Sequence, residues 1–326
     1  MTKALFLATS DGVVSCGREP GGWREGGRSL IGRTVTSVMT REGVVLAGTT
    51  DGIMRSEDGG RTWDEASAGL TVRHVRWLAY HPAISDREFA GTEPAGIFVS
   101  HDGARTWRAC REVAALRDAH RWFLPYSPQA GCVRDFAFQG QRAYAAVEVG
   151  GVLRSDDAGE TWRLAAGSTG EPVFAIPPAP LVHADVHAVV VHPSSPDLVF
   201  AATAEGLYRS NDGGDTWTVT HAGSYCRAVW VDPADAAHII LGPADSVERN
   251  GRIEETRDGG ATWADASAGL EAPWPHALLE RFARIGDELL AITNQGAVYA
   301  APLATLHWHR ILPGVDRVNA VAQDPA

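Results

Sequence analysis

Apolar residues in this 326-residue chain come in short runs separated by polar turns, and the same order of runs returns from one end to the other. One kind of run ends in small residues, as in Val45-Leu46-Ala47-Gly48-Thr49, Phe89-Ala90-Gly91-Thr92, Phe200-Ala201-Ala202-Thr203 and Leu289-Leu290-Ala291-Ile292-Thr293. A glycine followed by apolar residues opens the next run, at Gly52-Ile53, Gly96-Ile97-Phe98, Gly151-Val152-Leu153 and Gly206-Leu207-Tyr208. Two runs of strand length around a tight turn predict a β-hairpin. Upstream lies a further run, such as Val186 to His192 or Arg227 to Asp232, and Pro193 and Pro233 stop these two as proline stops a strand.

The octapeptide Ser-x-Asp-x-Gly-x-Thr-Trp closes the pattern. It occurs at Ser56 to Trp63, Ser155 to Trp162 and Ser210 to Trp217, at Thr256 to Trp263 with threonine first, and at Ser100 to Trp107 with Ala104 in place of the glycine. Two degenerate copies run from Gly12 to Trp23 and from Gly296 to Trp308. The repeats are therefore seven, roughly 40–55 residues each, a period that means a closed radial array and not a string of domains. Four short antiparallel strands per repeat predict an all-β fold, a single seven-bladed β-propeller spanning 1–326. Residues 4–14 read as second and third strands with no first strand before them, while Arg317 to Pro325 has the first-strand pattern. The N- and C-terminal segments are expected to share one blade, which leaves no open sheet edge.

Composition narrows the function. The net charge is −11, which argues against nucleic acid or an anionic membrane as the main partner. No apolar run is long enough to span a bilayer, and Leu5-Phe6-Leu7 is too short for a signal-peptide core. Cys16, Cys110, Cys132 and Cys226 are too few for a disulfide scaffold in a chain of this length, so a reducing cytoplasm is expected. Cys110 and Cys132 flank one insertion and are the pair for which a bond is conceivable. Serine-nucleophile, phosphate-loop and nucleotide fingerprints are absent, and no cofactor is expected.

The octapeptide resembles the Asp-box, or BNR repeat, of sialidases, tandem-propeller xyloglucanases, sortilin-type receptors and photosystem II assembly factors. The resemblance implies that the box closes the turn between third and fourth strands. Asp58, Asp102, Asp157, Asp212 and Asp258 are then structural: the carboxylate accepts backbone N–H groups, the glycine takes positive φ and the tryptophan packs in the sheet. Sialidases have six blades and an Arg-Ile-Pro opening that this chain lacks, and the xyloglucanases place their carboxylates between two propellers.

Function is expected on the opposite rim. Three long excursions, Arg108 to Cys132, Arg163 to Asp185 and Pro243 to Arg252, all fall there, and long loops on a rigid scaffold carry specificity. Aligning the first strands on their proline endings places Arg76, His187, Arg227 and Asn319 at one height near the channel mouth, with Arg134 and His276 assigned to the same position. Such a ring predicts a site for a carboxylate, sulfate or phosphate, unless each arginine merely pairs with Asp135, Glu148, Glu280 or Asp245. Trp122, Tyr126, Trp274 and Tyr225 are candidates to stack on the ligand. No metal is expected, with His183, His187 and His276 as the residues that would hold one.

Two functions follow. The first is a binding or assembly module for an anionic small molecule or glycan, with room for a protein partner at the rim. The alternative is a glycoside hydrolase or lyase acting on an acidic or carboxylate-bearing substrate at the same funnel, with Tyr225, Glu148, Glu280, His187 and His276 as its catalytic candidates.

Overall fold

In the computed structural model, which describes residues 4–127 and 130–323, the chain folds as seven four-stranded antiparallel sheets. Blade 2 shows the plan: Val35–Arg41 is innermost, followed outward by Val44–Thr49, Gly52–Ser56 and the short Asp64–Glu65. The inner strands of blades 3 to 7 are Val75–Tyr80, Cys132–Gln139, Val186–Val191, Tyr225–Asp232 and Leu279–Ile285. In blade 1 the inner strand comes from the other end of the chain, Val318–Gln323 pairing antiparallel with Leu5–Thr9. Asp324 and Pro325, expected as the end of that strand, lie outside the described residues.

The all-apolar second strands follow from burial on both faces. In Leu5–Thr9, Leu5 and Leu7 pack with Leu290 and Ile292 of blade 7, whereas Phe6 and Ala8 pack with Val38 and Ala47 of blade 2. The two-residue side-chain period sends alternate residues to opposite neighbours, so the core is a series of wedges between blades. In Val199–Thr203, Val199 and Ala201 join the wedge with blade 4 and Phe200 and Ala202 the wedge with blade 6. Burial of this kind stabilises by roughly 25 cal/mol per Å² of apolar surface removed from water.

Each of the five octapeptides forms one repeated hydrogen-bonded turn between third and fourth strands. In the first, Ser56 Oγ donates to Asp58 Oδ1 at 2.8 Å, Thr62 N donates to Oδ1 at 2.9 Å and Thr62 Oγ1 donates to Oδ2 at 2.7 Å. The same three contacts return at Asp102, Asp157, Asp212 and Asp258. Hydrogen bonds to the ionised form hold Asp258 down at about 2, led by that from the Thr262 hydroxyl. Ala104 takes the glycine position at φ 64°, a left-handed backbone that an alanine adopts only against some strain. The indole N–H groups of Trp107 and Trp263 donate to Ala66 O and Thr220 O of the preceding blades, at 2.8 and 3.0 Å.

The first excursion holds an α-helix, Arg111–His120, that the sequence reading did not anticipate, with Val113 buried beneath it. All four cysteines are free and buried, Cys110 and Cys132 among them.

Candidate functional site

One or two residues into each inner strand the pairing register slips, leaving a single residue bulged out of the ladder. The bulged residues are Thr36, Arg76, Arg134, His187, Arg227, Glu280 and Asn319, one per blade. A bulge re-aims the side chain it carries, and six of the seven, all but the buried His187, line the mouth of the channel. Residues 34, 36, 50, 76, 134, 227, 280, 293 and 319 share one cavity of about 400 Å³ there. The mouth lies on the face of the second-to-third turns, since Gly52 N and Thr50 N donate to Arg73 O and Thr34 O, just ahead of the inner strands. The octapeptide turns are on the other face.

Three bulged residues clip neighbouring blades together. Asn319 Nδ2 donates to Val35 O at 2.7 Å, Thr36 Oγ1 to Val75 O at 2.6 Å, and His187 Nδ1 meets Cys226 O at 2.8 Å. In each case the acceptor is the carbonyl just before the next blade's bulge.

The other four are charged. Arg134, 5 % exposed, donates to Glu148 Oε2 at 2.8 Å and to Glu280 Oε1, while Arg227 Nη1 donates to Glu280 Oε2 at 2.8 Å. Burial alone would raise both carboxyls, but the guanidinium charges outweigh it and hold Glu148 and Glu280 well below the usual carboxylate range. Arg281, next to Glu280, lies 3.5 Å over the Trp77 ring, donates to Arg134 O at 2.8 Å and stands 3.9 Å from Asp135; burial lowers it to about 10. Arg76 is the loosest, 3.5 Å from Glu93 Oε2 with 28 % of its side chain exposed.

Four of the expected ring residues beside Arg134, namely Arg76, His187, Arg227 and Asn319, share its position, and His276 does not. Blade 7 presents Glu280 there, and His276 is exposed four residues upstream, its carbonyl accepting from Gln295 Nε2. The expected ring of arginines and histidines is thus charge-paired, four guanidiniums facing Glu93, Glu148, Glu280 and Asp135. The hairpin of blade 2 held the missing signal, because Thr36 precedes Thr49 by the same interval as Glu280 precedes Thr293.

The loop aromatics divide. Trp122 is 2 % exposed and donates to Gly170 O at 2.7 Å, so it anchors its loop and does not meet a ligand. Trp274 stacks on Tyr299. Tyr126 keeps an exposed ring while its hydroxyl donates to Glu148 Oε1 at 2.6 Å. Tyr225 OH accepts from Arg227 Nε and Nη2, at 3.2 and 3.0 Å, and lies 3.1 Å from His187 Nε2; burial pushes its phenol up to about 12. The three histidines named for a metal do not converge. His183 is turned to Phe174 O, His276 is exposed, and the residues whose ligand atoms gather at His187 are Glu148 and Asp185.

No family model matches the chain. It is similar to an oligoxyloglucan-reducing end-specific xyloglucanase of Emericella nidulans, 25 % identical over 283 residues that cover 69 % of this chain and 32 % of the relative. The chain therefore spans about a third of the length of that curated relative, which is 32 % covered. Among solved structures, a GH74 xyloglucanase from Xanthomonas campestris superposes with a TM-score of 0.64 at 17 % identity, over 86 % of this chain and 45 % of that one. YCF48 bound to D1 peptide superposes at 0.62 with 12 % identity, over 92 % and 88 % of the two chains. YCF48 from Cyanidioschyzon merolae gives 0.59 at 13 % identity, over 93 % and 97 %. At these identities the likeness is one of fold, the seven-bladed propeller.

Proposed function

We propose that the chain is a glycan-binding propeller whose ligand enters the funnel on the face opposite the octapeptide turns. The observation that carries this reading is the lining of the funnel, in which Arg76, Arg134 and Arg227 with Glu280 share the wall with Thr34, Thr36, Thr50, Thr293, Asn294 and Asn319. Such a wall offers donors and acceptors at set positions, which suits a molecule dense in hydroxyl groups. An acidic group on the glycan would meet Arg76, the guanidinium least committed to a partner. The likeness to a xyloglucanase supports a glycan as the ligand class. On the same reading the octapeptides are Asp-boxes with a structural role, and the four free thiols suit a reducing cytoplasm.

Glycoside hydrolysis is the second reading, favoured by that same likeness and by the Tyr126–Glu148 contact. Against it, a general acid must hold a proton near neutral pH, and the arginines keep Glu148 and Glu280 ionised. Calorimetric titration with neutral xyloglucan oligosaccharides and with uronic-acid oligosaccharides, alongside chromatography of the mixtures, separates the readings. Binding without products, weakened several-fold by Arg76→Ala for the acidic sugars, is expected. Products in the mixture would favour the hydrolase, and failure of every glycan to bind at millimolar concentration would sink both.

A further inference from the structure

Beside the funnel, Glu148, Asp185 and His187 bring one ligand atom each within 4.8 Å of one another, and all three are buried. The hydrogen bonds around His187 fix where its proton sits. Nδ1 faces the Cys226 carbonyl at 2.8 Å, and a carbonyl can only accept, so Nδ1 carries the hydrogen. On the other side, Tyr225 OH already accepts two N–H groups from Arg227, which leaves its own hydrogen to be donated to His187 Nε2 at 3.1 Å. His187 Nε2 therefore presents a lone pair.

The Nε2 atom also lies 3.2 Å from Asp185 Oδ1. Asp185 is 6 % exposed, and among the described residues its Oδ1 has no hydrogen-bond partner. Two buried electron-pair donors at that separation repel unless something positive stands between them, and an unpartnered buried carboxylate oxygen costs several kcal/mol. The nearby arginines do not supply the charge. Arg134 is spent on Glu148 and Glu280, and Arg227 on Glu280 and Tyr225. Two guanidiniums facing three carboxylates leave one negative charge uncompensated.

The separation suits a metal. Two ligands bonded to zinc at about 2.0–2.1 Å in a tetrahedron stand roughly 3.3 Å apart. A metal-bound histidine also characteristically donates its other ring N–H to a carbonyl or carboxylate, the part Cys226 O plays here. Borderline-soft imidazole with two carboxylates fits zinc-type divalent cations better than calcium or magnesium.

We propose that His187 Nε2, Asp185 Oδ1 and a Glu148 carboxylate oxygen form a binding site for one zinc-type divalent cation, its fourth position facing Tyr225. An entering ion takes the Nε2 lone pair from the Tyr225 phenol, which turns away with its proton. The site is independent of the glycan reading, and its test uses no glycan.

The probe is zinc alone. The full chain, stripped with a chelator and dialysed against micromolar zinc, is expected to retain about one equivalent by elemental analysis and to melt at a higher temperature than the stripped chain. Asp185→Asn, which keeps the shape and removes the charge, should bind at least tenfold more weakly, and His276→Gln, altering an exposed histidine, should bind as the parent does. Cobalt(II) in place of zinc reads the geometry without relying on a variant's stability, through the intense visible absorption of a tetrahedral centre. Failure of the parent chain to retain zinc would overturn the proposal. So would full retention by Asp185→Asn, or ring-nitrogen NMR of the stripped chain at neutral pH showing both His187 nitrogens protonated, since a proton would then hold the place assigned to the metal.

Discussion

The same residue type does different work at neighbouring positions of the funnel, and the partner decides which. Arg134 sits buried between two glutamates, so Arg134→Ala strips both of their main counter-charge. Leaving buried charge unpaired costs about 3–5 kcal/mol. A fall of that size in chemical-denaturation stability is expected, whereas replacing a mere surface ion pair would cost about 0–1 kcal/mol. Arg76 stands at the other extreme, 3.5 Å from Glu93. Arg76→Ala should leave the melting temperature nearly unchanged and weaken ligand binding; the opposite pattern would make Arg76 a packing residue. Among the octapeptide aspartates, Asp157 is half-buried and accepts from Ser155 and from both the N–H and the hydroxyl of Thr161. Asp157→Ala should cost about 1–2 kcal/mol by loss of these bonds, with ligand affinity untouched because the turn lies on the far face. Strong loss of affinity at full stability would exchange the roles assigned to the two rims.

At the scale of the element, the bulge near the start of each inner strand determines what the funnel displays. A shift of one residue moves every side chain of a strand to its other face, so register had to be fixed before any site could be read. The His81-Pro82, His192-Pro193 and Asp232-Pro233 endings fix it for blades 3, 5 and 6, where proline must stop the ladder. Blade 7 has no such ending, and there His276 takes a place that belongs to Glu280. The strand Val318–Gln323 belongs to this scale too. Its Val318 and Val321 pack with Leu5 and Leu7, and its removal uncovers the edge of Leu5–Thr9. Deleting residues 318–323 is expected to yield aggregated protein in size-exclusion chromatography, because an exposed apolar strand edge is a template for intermolecular pairing. A monomeric deletion variant with the parent's melting temperature would show that blade 1 holds without it.

Over the whole molecule the charge network makes stability depend on acid. Glu148 and Glu280 are held below their ordinary value of 4.5 in the fold. A carboxyl depressed in the native state stabilises it fully above the unfolded value and loses that contribution as pH falls through the native one. Thermal denaturation should therefore show a plateau above about pH 5 and a progressive fall below 4.5. Glu280→Gln should flatten that fall; an unchanged acid slope would assign acid sensitivity to the octapeptide aspartates, whose carboxyls are also depressed.

What the sequence determined by itself is periodic. Tryptophans at 23, 63, 107, 162, 217, 263 and 308 count the blades, apolar second strands reveal burial on both faces, and long excursions mark the rim that carries variation. These are local signals, because each repeat must carry its own turn chemistry and its own apolar alternation. The tertiary structure alone decided which charges meet. Arg134 and Glu280 are 146 residues apart, and only the curvature of the ring brings blades 4 and 7 into contact across the channel. The orphaned Asp185 oxygen is equally invisible in the chain. A carboxylate's partners depend on every group that folds around it, and Asp185 is surrounded by side chains from blades 4, 5 and 6.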